Sequence, residues 1–145
     1  MDFPSLIKEF GDKLGASLSL SEHDTCSVLF DEDEVVFELR DGRLFMTIDI
    51  GSADGRDEDY PRFLAHAAAA ANTGFSCLGI DPERNVFTLT HILEGDMDES
   101  GFEQTVTIFV CAARHWMDYL VTRPREGVAD KPFDMQGLPD ILIRI

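Results

Sequence analysis

Basic side chains are scarce in this chain. Twelve lysines and arginines stand against 28 aspartates and glutamates in 145 residues, a formal net charge of −16 at pH 7. A field of that sign repels phosphate backbones and anionic lipid, so nucleic acid and membrane surfaces are not expected partners, whereas basic segments are. Long apolar runs are also missing, and nothing approaches the roughly 18 residues of a membrane-spanning helix. The opening MDFPSLIKEF has neither the basic start nor the apolar stretch of a signal peptide, so a cytosolic chain is expected. Cysteine is sparse as well: Cys26, Cys77 and Cys111 are far apart and form no C-x-x-C pair. That excludes a disulfide framework or a clustered zinc site and leaves them as small hydrophobes of the interior.

Chemistry-bearing motifs are as thin. His23, His66, His91 and His115 fall on four different segments with no H-x-H or H-x-x-x-H pair, so no metal is expected. The acidic loop SADGRDED lacks the spacing and closing glutamate of a calcium loop. The glycines form no phosphate cradle, and no serine sits in a G-x-S-x-G elbow. Cys111 and His115 lie four apart on a helical stretch, but the apolar neighbours of Cys111 suit packing better than a reactive thiolate. With no catalytic constellation and no cofactor motif, a binding protein is the expected class. A small hydrolase using His115 is the remaining enzymatic alternative.

What is present is a clear alternation of patterns. Phe3, Leu6, Ile7, Phe10 and Leu14 recur at helical spacing, with Pro4 in the first turn and Gly15 beyond the end. Three period-2 stretches follow at 26–31, 34–40 and 43–50. Asp41-Gly42 supplies the two residues of positive φ that a type I′ hairpin needs. A second helix is expected from the acidic segment ending in Pro61 to about residue 72, then strands at 75–80 and 85–93 joined by DPER. Ser100 and Glu103 read as a capping box for a third helix over about 100–121, with Trp116 in its apolar stripe. The order α-β-β-β-α-β-β-α predicts an α+β fold, a mainly antiparallel twisted sheet flanked by helices. One domain is expected over 1–122, and a Pro- and Gly-rich tail over 123–145 ends in DILIRI, a short strand or a docked segment.

Several of these stretches resemble the class I type III secretion chaperones, the CesT-like or Tir-chaperone family. They are LIKEFGDKLGASLSL, VLFDEDEVVFELRDGRLFMTIDIG, FLAHAAAAANTGFSCLGIDPERNVFTLTHIL and the Trp-containing FEQTVTIFVCAARHWMDYL. The resemblance implies a homodimer that binds the extended N-terminal region of a secreted effector and keeps it secretion-competent without ATP. It directs the search for effector contacts to the first helix and first two strands: Leu6, Phe10, Val28, Phe30, Val35 and Phe37. Each of these reads equally as core. For dimerisation, the resemblance points to the second helix and the strand after it, and so to Phe63, Leu64, Ala67, Ala68, Ala71 and Leu78. The alternative within the same fold is a regulatory or sensor module unrelated to secretion.

The five consecutive alanines at 67–71 carry two readings. Alanine has the best helix propensity, so the run serves as helical filler. At a two-fold helix it would instead allow two copies to approach closely.

Overall fold

The computed structural model describes residues 1–69 and 73–122. The element order is α1 (Phe3–Lys13), β1 (Thr25–Phe30), β2 (Asp33–Arg40), β3 (Arg43–Ser52), α2 (Tyr60–Ala67), β4 (Cys77–Asp81), β5 (Val86–Leu93) and α3 (Glu99–Thr122). The tail expected over 123–145 and its strand at 140–145 lie outside the described residues.

The five strands form one antiparallel sheet in the order β1-β2-β3-β5-β4. Local turns build the β1-β2-β3 meander and the β4–β5 hairpin, and the non-local β3–β5 pairing joins them. Asp41 and Gly42 both take positive φ, 51° and 75°, as the expected hairpin requires. β1 and β4 are the two edges. Register places Val28 opposite Val35, Phe37 opposite Met46, Ile48 opposite Leu89 and Leu78 opposite Leu89, which unites these side chains on one face. Among the described residues all three helices pack against that face, while Leu29, Val36 and Ile92 of the opposite face stay exposed.

A few specific features fix α1 and α3 in place. Asp2 caps α1, its Oδ1 accepting from the Ser5 N–H at 2.8 Å. Inside α1, Gly11 leaves room for the returning chain: a Cβ there would stand 2.7 Å from Leu18 Cγ and 2.8 Å from Ala16 O. Near the bulge of β3, a Cβ on Gly51 would stand 2.7 Å from Leu120 Cδ1, so α3 lies almost on the strand backbone. Arg114 of α3 donates to Asp33 Oδ2 (2.9 Å), to Asp31 Oδ2 (3.1 Å) and to the Phe30 carbonyl (3.1 Å), clasping the β1–β2 turn. No described helix is long and apolar enough to cross a membrane.

Three expected boundaries are corrected. The cap of α3 is Asp98, whose Oδ1 accepts from the Gly101 N–H at 2.7 Å, and not the Ser100–Glu103 box. The helix begins at Glu99, so the carboxylate one position earlier meets the free amides and the positive end of the dipole. Glu103 is left to pair with Lys13 at 3.1 Å. α2 ends at Ala67 rather than near 72: Ala69 N–H bonds back only to His66 O, three residues earlier. Phe63 is the one residue of α2 that is buried, and a short helix extends only as far as its packing supports it. β4 starts at Cys77 rather than 75, because Gly74 and Phe75 both take φ of 61°, a turn conformation closed to strands.

Candidate interaction surfaces

The six residues expected to meet an effector fill the core instead. Leu6, Phe10, Val28, Phe30, Val35 and Phe37 are all at most 4% exposed. Phe10 meets Phe102 edge-on at 5.6 Å and lies 6.2 Å from Phe30, while Phe37 lies 6.2 Å from Phe102. These rings join α1, β1, β2 and α3, so none of the six offers a side chain to a partner unless the core opens. Their alternation marks the face that the helices cover.

The outer face of the sheet carries the complementary set. Leu29 is 54% exposed, Ile92 43% and Val36 39%. Val36 lies opposite Thr47, which lies opposite Thr90, and the two threonine hydroxyls are 3.3 Å apart. One row away, Glu38, Phe45 and Ile92 stand side by side. Apolar side chains thus recur on four strands of this face, Leu29, Val36, Phe45 and Ile92, interleaved with Ser27, Thr47, Thr90 and Glu38. The rim is acidic. An open concavity of about 530 Å³ is lined by Glu32, Asp33, Glu34, Glu38 and Asp49 together with Val36, Thr47, Arg84 and Met117. The cations here are already engaged: Arg84 forks onto Asp49 (2.6 and 3.0 Å) and reaches Asp81 (2.7 Å), and Arg40 pairs with Glu38. Asp49 first, and Asp81 after it, raise the pKa of the Arg84 guanidinium and hold it charged. Sequence reading passed over these side chains, although Val36 and Phe45 stand out as apolar members of otherwise polar alternating sets.

A second apolar surface lies between α2 and β4. Tyr60, Phe63, Leu64 and Ala67 line one wall of a groove of about 200 Å³, with Leu78, Gly79, Ile80 and Phe87 opposite. Phe63 stacks on Phe87 at 4.5 Å and packs on Trp116 at 5.4 Å and Tyr119 at 5.6 Å, forming the floor. Leu64, the next residue, is 72% exposed at the rim. Of the six residues expected at a two-fold interface, Phe63, Leu64, Ala67 and Leu78 line this single groove. Ala68 is exposed just beyond it, and Ala71 lies outside the described residues.

The turn entering β4 is a further feature that sequence patterning missed. Thr73 and Ser76 are buried on either side of Phe75, which is 62% exposed. Ser76 N–H donates to Thr73 O, Thr73 Oγ1 donates to Ser76 O, and Ser76 Oγ shares a 3.0 Å hydrogen bond with His91 Nδ1. Burial lowers the pKa of His91. His91 therefore sits within the sheet, anchoring a turn.

The Cys111–His115 pair is arranged for packing. Burial pushes the Cys111 thiol up, against the thiolate form that a nucleophile needs, and the His115 ring packs edge-on to Trp116 at 5.2 Å. Among the described residues no three His, Cys, Asp or Glu side chains converge as a metal site.

These features have counterparts in known proteins. Residues 5–117 match the model of the Tir chaperone protein (CesT) family. A chain of the ExsC–ExsE complex is 26% identical and superposes with a TM-score of 0.67, covering 83% of this chain and 97% of its own. The HopA1–SchA chaperone–effector complex gives 16% identity and a TM-score of 0.68 over 79% of this chain and 91% of that one. The Yersinia pestis type III secretion chaperone SycH, in complex with a fragment of YscM2, gives 20% and 0.61 over 77% and 96%. The last two speak to the fold alone. No individual curated protein sequence matches. The family match spans residues 5–117, most of the sequence, so the chain belongs to the Tir chaperone protein (CesT) family.

Proposed function

We propose that this protein is a dimeric type III secretion chaperone that holds the extended N-terminal region of an effector in the bacterial cytoplasm. The observation that carries the reading is the outer sheet face, where Leu29, Val36 and Ile92 expose apolar side chains beside an acid-lined concavity. An extended segment with alternating apolar and basic side chains matches that surface in both respects. The edge strand β1 adds unpaired backbone groups beside Leu29, against which such a segment can align. A segment held this way stays non-globular, and the cost of ordering it keeps the complex reversible.

The protein acts by binding and not by catalysis, in keeping with a family of chaperones and with the packed setting of Cys111. Family membership also favours the chaperone over a sensor module of the same fold. Dimerisation uses the α2–β4 groove, which leaves the outer sheet face of each copy free for the client. The test is co-expression with the effector and measurement of affinity for its isolated N-terminal segment, using wild type and the Leu29→Asp, Val36→Asp double variant. Binding by wild type that falls at least about tenfold in the folded variant supports the assignment. Equal affinity of the two moves the client site elsewhere.

A further inference from the structure

Between Phe63 and Ile80 the chain contains no Asp, Glu, Lys or Arg, although charged residues make up 28% of the sequence. Within that stretch Leu64, Phe75 and Ile80 are 72%, 62% and 43% exposed. An uncharged apolar face offers a basic client nothing by charge. For two chains that each carry −16, it is the face on which they approach with least repulsion.

The conformation of Phe75 adds a specific element. A φ of 61° is strained for a bulky L-residue, and it follows directly on Gly74 at the same angle. The buried Thr73 and Ser76 hold this turn from both sides, and the Ser76–His91 bond ties it to β5. The outcome is a turn held by these bonds that leaves Phe75 62% exposed. Strain that is over-determined by its surroundings and ends in an exposed aromatic is the signature of a pre-organised anchor.

We propose that Phe75 is the anchor by which this face docks on a second copy of the chain, its ring seating in the α2–β4 groove of that copy. The inference rests on the dimer reading above. A two-fold contact needs knob and hole on one self-complementary surface, and this face carries both. β4 is an edge strand, and a two-fold axis beside it and perpendicular to it makes the two copies of the strand run antiparallel. With the axis beside Leu78, Phe75 of each copy arrives at the Ile80 end of the other's groove.

The experiment is sedimentation equilibrium of wild type, Phe75→Ala, Phe75→Gly and Leu64→Asp, with thermal melts of the same proteins. Phe75→Ala and Phe75→Gly are each expected to raise the dimer dissociation constant at least about tenfold, as loss of an interface hot spot does. In the monomeric Leu64→Asp background, Phe75→Gly is expected to melt at the same temperature or higher, since it removes strain and no core contact. A wild-type dimer that Leu64→Asp dissociates but Phe75→Ala leaves unchanged overturns the anchor and spares the dimer. A monomeric wild type overturns both. A Phe75→Gly variant that melts lower in the monomeric background assigns the ring to the fold and also overturns the anchor.

Discussion

Phe63 and Leu64 are neighbours on α2 with opposite fates, and replacing them separately divides folding from assembly. Phe63 is 5% exposed, stacked on Phe87 and set against Trp116 and Tyr119, and it is the one buried side chain of α2. Phe63→Ala removes the floor of the groove, and truncating a buried Phe costs about 3–5 kcal/mol. That is a large part of the roughly 5–15 kcal/mol that holds a domain together. For a chain of this size it corresponds to a melting temperature lower by about 10–15 °C. Leu64 is 72% exposed, so Leu64→Asp changes the stability of the monomer by no more than about 0.5 kcal/mol. In a dimer joined through the groove, the same carboxylate is buried without a partner. With one such carboxylate from each copy, a total penalty of about 3 kcal/mol already raises the dissociation constant roughly 150-fold. Urea denaturation at several protein concentrations separates the two effects, because only a dimer has a concentration-dependent midpoint. Sedimentation gives the mass directly. A cost below about 1 kcal/mol for Phe63→Ala, or an undisturbed dimer in Leu64→Asp, refutes the reasoning.

Three more perturbations probe other parts of the structure. Gly11→Ala should destabilise the chain by about 1–3 kcal/mol despite alanine's better helix propensity, because its Cβ would stand 2.8 Å from the Ala16 carbonyl; higher stability would show that the 14–24 segment yields freely. Effector binding to the acid-lined sheet face should weaken as salt rises from 50 to 500 mM, and Glu34→Gln with Glu38→Gln should flatten that dependence; titration calorimetry reads both, and a salt-independent affinity would remove the charge argument. Burial lowers the pKa of His91, so the folded state binds its proton less readily than the unfolded chain does. The sign follows: this contribution is fully present above about pH 6.5 and is lost as pH falls below it. His91→Gln should flatten the stability profile in that window, and urea midpoints with the same slope in both proteins would contradict this.

Much of the fold was legible because its signals are local. Positive φ at Asp41 and Gly42, helical spacing from Phe3 to Phe10 and alternation in β2 and β3 each act within a few residues. The same alternation identified Val28, Phe30, Val35 and Phe37 as one apolar set, but a core face and a partner-facing face share that pattern. Only the packing of Phe10 and Phe102 onto Phe30 and Phe37 decides between them. The outer apolar set depends on register across β2, β3 and β5, and β3 and β5 are brought together by a non-local pairing. Phe75 was hidden for a different reason. Asn-Thr-Gly-Phe reads as a stop followed by a strand, and the left-handed turn at Phe75 is fixed by Thr73, Ser76 and the distant His91. The groove residues were reached through the resemblance, which pointed to the second helix and the strand after it; that Phe63, Leu64, Ala67 and Leu78 line a single groove depends on how α2 packs beside β4.

The central claim is that two copies of this chain hold one extended effector segment, and hydrogen exchange on the purified chaperone–effector complex, with its mass from light scattering, tests it most directly. The expected result is a 2:1 complex in which amide protection appears within the N-terminal region of the effector and on the chaperone strands that carry Leu29, Val36 and Ile92. A complex containing a single copy of the chaperone, or protection that leaves those strands unchanged, would contradict it.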